Sequence, residues 1–188
     1  PTGSNLRAVH FVDSDNGWAA GTGFLLKTTN GGVNWAYVMT PSNGMSWRDV
    51  VFLDPTNGWA CGQKDLIIKT TNSGATWQLV TGTPMPTTLY LYSMCWPDAT
   101  NGWVVGSGNN TNNMFFTHDG GATWRGCTSS VPTTLLTVKF TSPQVGYAGG
   151  GGGYLVKTTN GLSANPVWKE VLSAREFYTD HIRWTVDP

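Results

Sequence analysis

Three aspartates at regular places in the chain are the residues most able to bind a cation or to act in acid–base chemistry. Asp13, Asp54 and Asp98 each begin a D-x-x-N-G-W segment. Calcium needs about six to eight oxygen ligands, and one aspartate in each separate segment supplies too few. An aspartate side chain can instead accept hydrogen bonds from the backbone amides that follow it. We therefore predict turns at these positions and no metal site.

The histidines give no better case for a metal or a cofactor. His10, His118 and His181 lie at different positions of different segments, whereas a zinc site needs its ligands at matched spacing. His118 is expected to face solvent, because it occupies a variable position in a turn. We therefore expect neither a cofactor nor a bound metal.

The three cysteines are expected to be structural and unpaired. They lack the CxxC or Cys/His spacing of a zinc site. Cys95 and Cys127 are predicted on strands three spacings apart, about 14 Å, whereas a disulfide spans at most about 7 Å between Cα atoms. Cys61 is expected to pack as a small buried apolar residue.

The composition excludes several classes of partner. Only 12% of the residues are charged, the formal net charge is zero, and the basic residues are scattered, so no positive surface for nucleic acid is expected. The apolar runs are shorter than the roughly 18 residues of a membrane span. The 24 glycines and 10 prolines make long helices improbable.

A repeat that covers the whole chain is the strongest signal in the sequence. Each unit carries an apolar strand that ends in an aromatic residue, here called the aromatic anchor, and an aromatic residue then follows a glycine, as in "LRAVHFVDSDNGWAAG" and "WRDVVFLDPTNGWACG". Successive anchors are 41, 44, 44 and 44 residues apart, the length of a four-stranded propeller blade. The anchors are Phe11, Phe52, Trp96, Phe140 and Trp184.

This period predicts an all-β fold, a β-propeller of four-stranded antiparallel blades in a single domain. In the first unit we predict strands at about 6–12, 17–21, 24–29 and 34–39. The predicted blades are 1–40, 41–82, 83–131 and 132–175, and a closing or donated strand is predicted at 177–186. We favour a four-bladed ring sealed by that strand, because open sheet edges promote aggregation. A piece of a larger propeller and a strand donated to a neighbouring molecule are the alternatives.

A second motif, T-x-N/D-x-G-x-x-W, is predicted to form the turn between the third and fourth strands of each blade. The Asn or Asp side chain can bond the turn's own amides, the glycine can adopt the left-handed conformation, and the indole can cover the apolar seam. In the fourth unit the Thr-to-Trp interval grows from seven residues to ten, which predicts a looser turn. The motif residues are Thr28, Asn30, Gly32, Trp35, Thr70, Asn72, Gly74, Trp77, Thr117, Asp119, Gly121, Trp124, Thr158, Asn160 and Trp168.

This motif resembles the Asp-box, also called the bacterial neuraminidase repeat. The full unit is most similar to propellers of the photosystem II assembly and stability factor family. The resemblance implies a non-enzymatic module that presents the loops of a rigid propeller to a protein partner. Relatives in that family usually have more than four blades, so the resemblance leaves the closure of the ring open.

Sialidases also carry Asp-boxes, so a hydrolase has to be considered. The resemblance to sialidases would require an arginine cluster, a Tyr paired with a Glu, and an Asp acid. The chain has five arginines and only two glutamates, Glu170 and Glu176, and no pair of facing carboxylates can be assigned. We therefore expect no enzymatic activity, and keep a carbohydrate-binding lectin or sialidase-like glycosidase as the alternative function.

One face of the predicted propeller combines arginine with aromatic residues, a composition typical of interaction hot spots. It would be formed by the loops that join consecutive blades and those between the second and third strands. The candidate binding residues are Arg7, Trp47, Arg48, Lys64, Asp65, Tyr90 and Tyr92. The polar loop 107–113 lies on the same face and contains Asn109-Asn110-Thr111, a pattern for N-linked glycosylation at Asn109.

The partner is expected to be a protein, or a glycan in the alternative reading. A further alternative is a structural subunit of an extracellular assembly that associates with its own copies through the terminal strand. The low charge and the Asn, Gly and Thr content favour an exported protein of the periplasm, a lumen, the cell surface or the medium.

Overall fold

Four four-stranded antiparallel sheets form the protein, in a computed structural model that describes residues 4–81, 89–108 and 113–172. The first blade contains β1 (Leu6–Phe11), β2 (Gly17–Gly21), β3 (Phe24–Thr28) and β4 (Ala36–Val38). The second contains β5 (Trp47–Phe52), β6 (Gly58–Gly62), β7 (Ile67–Thr70) and β8 (Gln78–Leu79). The third contains β9 (Leu91–Cys95), β10 (Gly102–Gly106), β11 (Met114–Thr117) and β12 (Arg125–Cys127). The fourth contains β13 (Leu135–Phe140), β14 (Gly146–Gly150), β15 (Leu155–Thr158) and β16 (Trp168–Leu172).

The strands of each sheet lie side by side in chain order, which confirms the predicted propeller of four-stranded blades. The single helical segment in the described ranges is a short 3-10 turn at Gly151–Gly153. Among these residues no helix is long and apolar enough to cross a membrane. The predicted terminal strand at 177–186 lies outside the described residues.

The second strand of the second blade ends in a glycine, Gly62, because a side chain would not fit at that position. Gly62 pairs with Trp47, and the register of the two strands shifts between Trp47 and Asp49. At this bulge the carbonyl of Ser46 approaches so closely that a Cβ on Gly62 would collide with it. The same close approach occurs at the last glycine of β10 and of β14.

The Asp-box turn is held by hydrogen bonds from its own side chains, as predicted. In the second blade, Thr70 Oγ1 accepts the Gly74 amide at 3.0 Å, and Asn72 Oδ1 accepts the Thr76 amide at 2.9 Å. Ser73 and Gly74 both have positive φ, 59° and 73°. The first and third blades repeat this arrangement.

The fourth turn is longer, in line with its sequence. Asn160 Oδ1 accepts the amide of Val167, seven positions along the chain, at 2.9 Å. In the other three blades the acceptor and donor are four positions apart. The additional residues therefore widen the turn while the hydrogen bond to the following strand is kept.

Three aromatic rings meet at each junction between blades. The second-strand indole of one blade stacks on the anchor of the next: Trp18 on Phe52 with centroids 3.6 Å apart, and Trp59 on Trp96 at 4.0 Å. That anchor in turn contacts its own Asp-box indole edge to face, as Phe52 does with Trp77 at 5.8 Å. The third junction has the same trio, formed by Trp103, Phe140 and Trp168.

The apolar core is divided among the three junctions. One cluster lies between the first and second blades, one between the second and third, and one between the third and fourth. The Asp-box indoles Trp77, Trp124 and Trp168 are 5%, 4% and 2% exposed, so their predicted burial is confirmed. Trp35 is only half-buried, because no blade precedes the first one in the described residues.

The four blades pack one after another in chain order. The inner strands β1, β5, β9 and β13 pack consecutively, each against the next. Between β1 and β13 there is no packing of comparable extent in the part of the chain that the structure describes. Closure of a four-bladed ring by 177–186 therefore stays a prediction.

Replacing Thr70 with valine should destabilise the second blade. The substitution keeps the shape of the side chain but removes the oxygen that accepts the buried Gly74 amide. A buried donor left without a partner costs about 1–3 kcal/mol. Urea unfolding followed by tryptophan fluorescence measures the loss, and Thr71→Val, at the exposed neighbouring threonine, is the matched control. Equal stability of the two variants would contradict this role of the threonine hydroxyl.

Candidate functional site

Three of the predicted binding residues converge where the second blade meets the third. The Arg48 guanidinium carbon lies 5.0 Å from the ring centroid of Tyr92 and 5.7 Å from that of Tyr90. These are cation–π distances, and Tyr90 is 38% exposed. Arg48, Tyr90 and Tyr92 are called the Arg48 cluster below. A guanidinium beside two aromatic rings has the composition of an interaction hot spot.

Backbone hydrogen bonds fix the position of Tyr90 from both sides. Its amide donates to Ser107 Oγ at 2.8 Å, and the Ser107 amide donates to the Tyr90 carbonyl at 2.8 Å. On the other side Tyr90 forms an antiparallel bridge with Gln63. The exposed ring is therefore attached to a backbone that two different blades hold in place.

Lys64 and Asp65 lie beside this cluster in the turn between β6 and β7. Both adopt left-handed backbone conformations, with φ of 55° and 54°. Residues other than glycine persist there only where the surroundings fix them, and such positions gather at functional sites. The Asp65 amide donates to the Leu89 carbonyl at 3.0 Å, which joins this turn to the segment before Tyr90. The Lys64 side chain is exposed.

Two predicted binding residues lie elsewhere. Trp47 is 1% exposed and belongs to the core between the first and second blades, so its prediction as a contact residue was wrong. Its indole is covered because the first blade packs on that face of β5. Arg7, at the equivalent position to Arg48, is exposed and lines a groove on the first blade together with Leu6 and Val9.

The predicted glycosylation residue Asn109 lies outside the described residues. Within the same loop Asn113 is fully buried, and its side-chain amide donates to the carbonyl of Thr133 at 2.7 Å. Asn113 thus connects the loop to the chain that leads into the fourth blade.

His118 does not face solvent as expected. Its Nδ1 lies 2.6 Å from Asn101 Oδ1, and its Nε2 lies 3.2 Å from the Ser163 carbonyl. The imidazole therefore bridges the third and fourth blades, and the prediction was wrong. The equivalent turn position in the first two blades is a threonine, Thr29 or Thr71, so the repeat gave no signal for this contact.

The aspartates of the D-x-x-N-G-W segments form turns, as predicted. Asp54 Oδ1 accepts the amides of Thr56 and Asn57 at 2.7 and 2.8 Å. Hydrogen bonds from these residues, their side chains first, hold the pKa of the Asp54 carboxyl well below its usual range. Asp13 and Asp98 make the same backbone contacts.

A half-buried carboxylate next to Arg48 was missed by the sequence reasoning. Asp49 Oδ2 accepts the Met94 amide at 2.8 Å across the junction between the second and third blades, and Oδ1 accepts the Val50 amide at 2.9 Å. Burial raises the pKa of the Asp49 carboxyl, against the opposing effect of these hydrogen bonds. The sequence contained one sign of this role: at the equivalent position the other blades carry uncharged residues, Ala8, Ser93 and Thr137.

The cysteines and acidic residues do not form a metal centre in the described ranges, where no group of three or more ligand-type side chains comes together. All three cysteines are free, as predicted for Cys95 and Cys127. Cys61 is fully buried, as expected of a small apolar residue. Burial raises the pKa of the Cys127 thiol to about 12, so it remains protonated at neutral pH.

A known protein family matches the first part of the repeat. Residues 1–85 match a family model described as photosynthesis system II assembly factor YCF48. Among curated proteins, none matches the chain. The resemblance inferred from the sequence is thereby confirmed: the chain is a propeller of the neuraminidase-repeat type, with YCF48-like sequence in its first 85 residues.

Solved structures similar to this chain are propeller proteins of low sequence identity. An ancestral GH74 enzyme is 18% identical with a TM-score of 0.73, over 91% of this chain and 24% of that one. The GH74 enzyme of Niastella koreensis is 17% identical with a TM-score of 0.69, over 88% and 30%. YCF48 from Cyanidioschyzon merolae is 16% identical with a TM-score of 0.57, over 90% and 72%.

These similarities show the fold. The chain spans about a quarter of the length of the ancestral GH74 enzyme, and the identities are too low to carry an activity from one protein to another.

Asp49 and Asp54 should affect the pH dependence of stability in opposite directions. The raised pKa of Asp49 contributes stability that is present below the unfolded value of about 3.9 and lost as the pH rises through the folded value. The lowered pKa of Asp54 contributes stability that is present above about 3.9 and lost as the pH falls.

Urea unfolding of wild type, Asp49→Asn and Asp54→Asn at a series of pH values between about 3 and 7 measures both effects. As the pH falls, the difference in unfolding free energy between wild type and Asp49→Asn should move in favour of wild type. The difference for Asp54→Asn should move against wild type. If the two differences in unfolding free energy changed in the same direction with pH, the direction of the pKa shift given for Asp49 or for Asp54 would be wrong.

Proposed function

We propose that this protein is a non-enzymatic binding module that presents the Arg48 cluster to a protein partner in an assembly process. The observation that carries the proposal is the Arg48 guanidinium held against two tyrosine rings, one of them 38% exposed. Arg and Tyr are the residue types most often found at interaction hot spots.

The geometry of the cluster favours binding over packing alone. Tyr90 is 38% exposed, which leaves one side of the cluster open to solvent. A planar guanidinium that is already ordered loses little entropy when it binds a carboxylate or a carbonyl oxygen. Lys64 is exposed in the adjoining turn, where the acidic Asp65 follows it. The preferred partner is therefore a protein segment that offers acidic or carbonyl oxygens next to an apolar group for the tyrosines.

The family match supports a role in assembly. The matched region 1–85 contains Arg48 and Lys64, and the family is described as a photosystem II assembly factor. Tyr90 and Tyr92 follow just after it. The partner of this chain would then be a protein that is being assembled.

Carbohydrate binding is the second candidate, because an exposed tyrosine such as Tyr90 also offers a flat apolar ring to a sugar. A glycan array, together with a panel of fluorogenic glycosides, separates the two candidates. Binding to a defined glycan class, or turnover of a glycoside, would replace the protein-binding proposal.

An exported compartment suits this module. Cys61 and Cys127 are buried, and burial raises the pKa of all three thiols, which lowers their reactivity at neutral pH. Cellular fractionation of the native protein locates it directly.

Arg48→Ala and Tyr90→Ala should each weaken partner binding by about 10- to 30-fold, the loss expected of a hot-spot residue. The partner is first isolated by affinity capture on the wild-type protein and identified by cross-linking, and its affinity is then measured by biolayer interferometry. Arg125→Ala removes an exposed arginine of β12 and is the matched control.

Circular dichroism should show that all three variants remain folded, with a small fall in melting temperature for Arg48→Ala and Tyr90→Ala, because these two side chains pack on each other at the surface. Wild-type affinity of both cluster variants would rule out the Arg48 cluster as the binding site.

A further inference from the structure

The first blade has an apolar face that lacks the cover its counterparts have. Leu6 and Val9 on β1 are 60% and 63% exposed, whereas the residues in the same register of the second blade, Trp47 and Val50, are each 1% exposed. The anchor Phe11 is 42% exposed, while the next anchor along the chain is 4% exposed. This apolar surface therefore has the composition of a blade junction but no neighbouring blade in the described residues.

Leu6 and Val9 line one shallow groove of about 540 Å³, and Phe11 contacts its Trp35 edge to face at 5.9 Å. Ala19, Leu26 and Trp35 complete it, and their equivalents in the second blade, Ala60, Ile68 and Trp77, belong to a buried core. We call it the leading face. Large contiguous apolar surfaces on soluble proteins mark interaction sites.

The fourth blade carries the complementary half of a junction. In the first two junctions a lysine from one blade crosses to the Asp-box turn of the next: Lys27 Nζ donates to the Ser73 carbonyl at 2.7 Å, and Lys69 Nζ to the Gly120 carbonyl at 3.0 Å. Lys157 is the equivalent residue of the fourth blade.

The Lys157 ammonium lies where the ammonium groups of Lys27 and Lys69 lie in their own blades. Its Nζ lies 5.3 Å from the ring centroid of Tyr147, as Lys27 Nζ lies 5.3 Å from that of Trp18. Tyr147 and Lys157 are cross-strand partners, as Trp18 and Lys27 are in the first blade, so the ring and the ammonium lie side by side on the sheet. We call the surface formed by Tyr147 and Lys157 the trailing face.

We propose that the trailing face of one molecule docks on the leading face of a second copy, head to tail. Tyr147 would stack on Phe11, and Lys157 would donate to the carbonyl of Gly31, the counterpart of Ser73 and Gly120 in the first Asp-box. The chain thus holds both halves of a junction whose ring stacking it makes three times within itself and whose lysine contact it makes twice. The two surfaces differ, so the association is heterologous.

Sedimentation velocity over a wide range of protein concentrations tests the proposal. Wild type should shift from monomer to dimer or larger species as the concentration rises. Val9→Glu on the leading face and Lys157→Glu on the trailing face should each remain monomeric. Met39→Glu, at a 75% exposed methionine outside both the groove and the Asp-box turn, is the control and should associate like wild type.

Mixing the two interface variants gives the sharper result. Val9→Glu retains an intact trailing face and Lys157→Glu an intact leading face, so an equimolar mixture should form heterodimers although neither variant associates alone. Circular dichroism verifies that both variants are folded. Arg48→Ala should associate normally, which separates this proposal from the proposed partner site.

Two outcomes would overturn the proposal. One is a wild type that stays monomeric at every concentration, above all if Val9→Glu also lowers its melting temperature, because a segment of the same chain would then cover the leading face. The other is association that persists unchanged in both glutamate variants.

Discussion

Stacking of an indole from one blade on the anchor of the next is the contact on which the whole arrangement depends. At the first two junctions the ring centroids are 3.6 and 4.0 Å apart. The glycine before each indole makes room for the anchor of its own blade: a Cβ on Gly58 would come within 2.6 Å of the Phe52 ring. The Gly-Trp pair therefore serves two contacts, one within the blade and one between blades. Offset and edge-to-face rings add to the burial of apolar area that binds the blades together.

The sequence was informative about everything that repeats. The period of the anchors predicted the blades, and the hydrogen bonds of the Asp-box followed from the residue types at Thr70, Asn72 and Gly74. It was less informative about which face of a strand becomes covered. Trp47 was predicted as a contact residue although Leu6, Leu91 and Leu135 at the same position are all apolar, which was the available sign of a core position.

Departures from the repeat carry the features that could not be predicted from it. Arg48 and Asp49 are consecutive residues of β5, and the first meets tyrosines on the third blade while the second accepts the Met94 amide there. His118 likewise makes its contacts through residues distant in the sequence. Such contacts depend on how one blade lies against the next, and this orientation is not encoded in the pattern of a single unit. The scaffold is thus set by repeated residues and the candidate function by unique ones.

The most direct test of the stacked junction compares two tryptophans with the same role in the motif. Trp77 lies at a junction and is 5% exposed, whereas Trp35 lies on the leading face and is half-buried. Urea unfolding at a concentration where the chain is monomeric should show a loss of about 3–5 kcal/mol for Trp77→Ala and less than half of that for Trp35→Ala. Equal losses would contradict the account, since the two indoles would then contribute equally with and without a preceding blade.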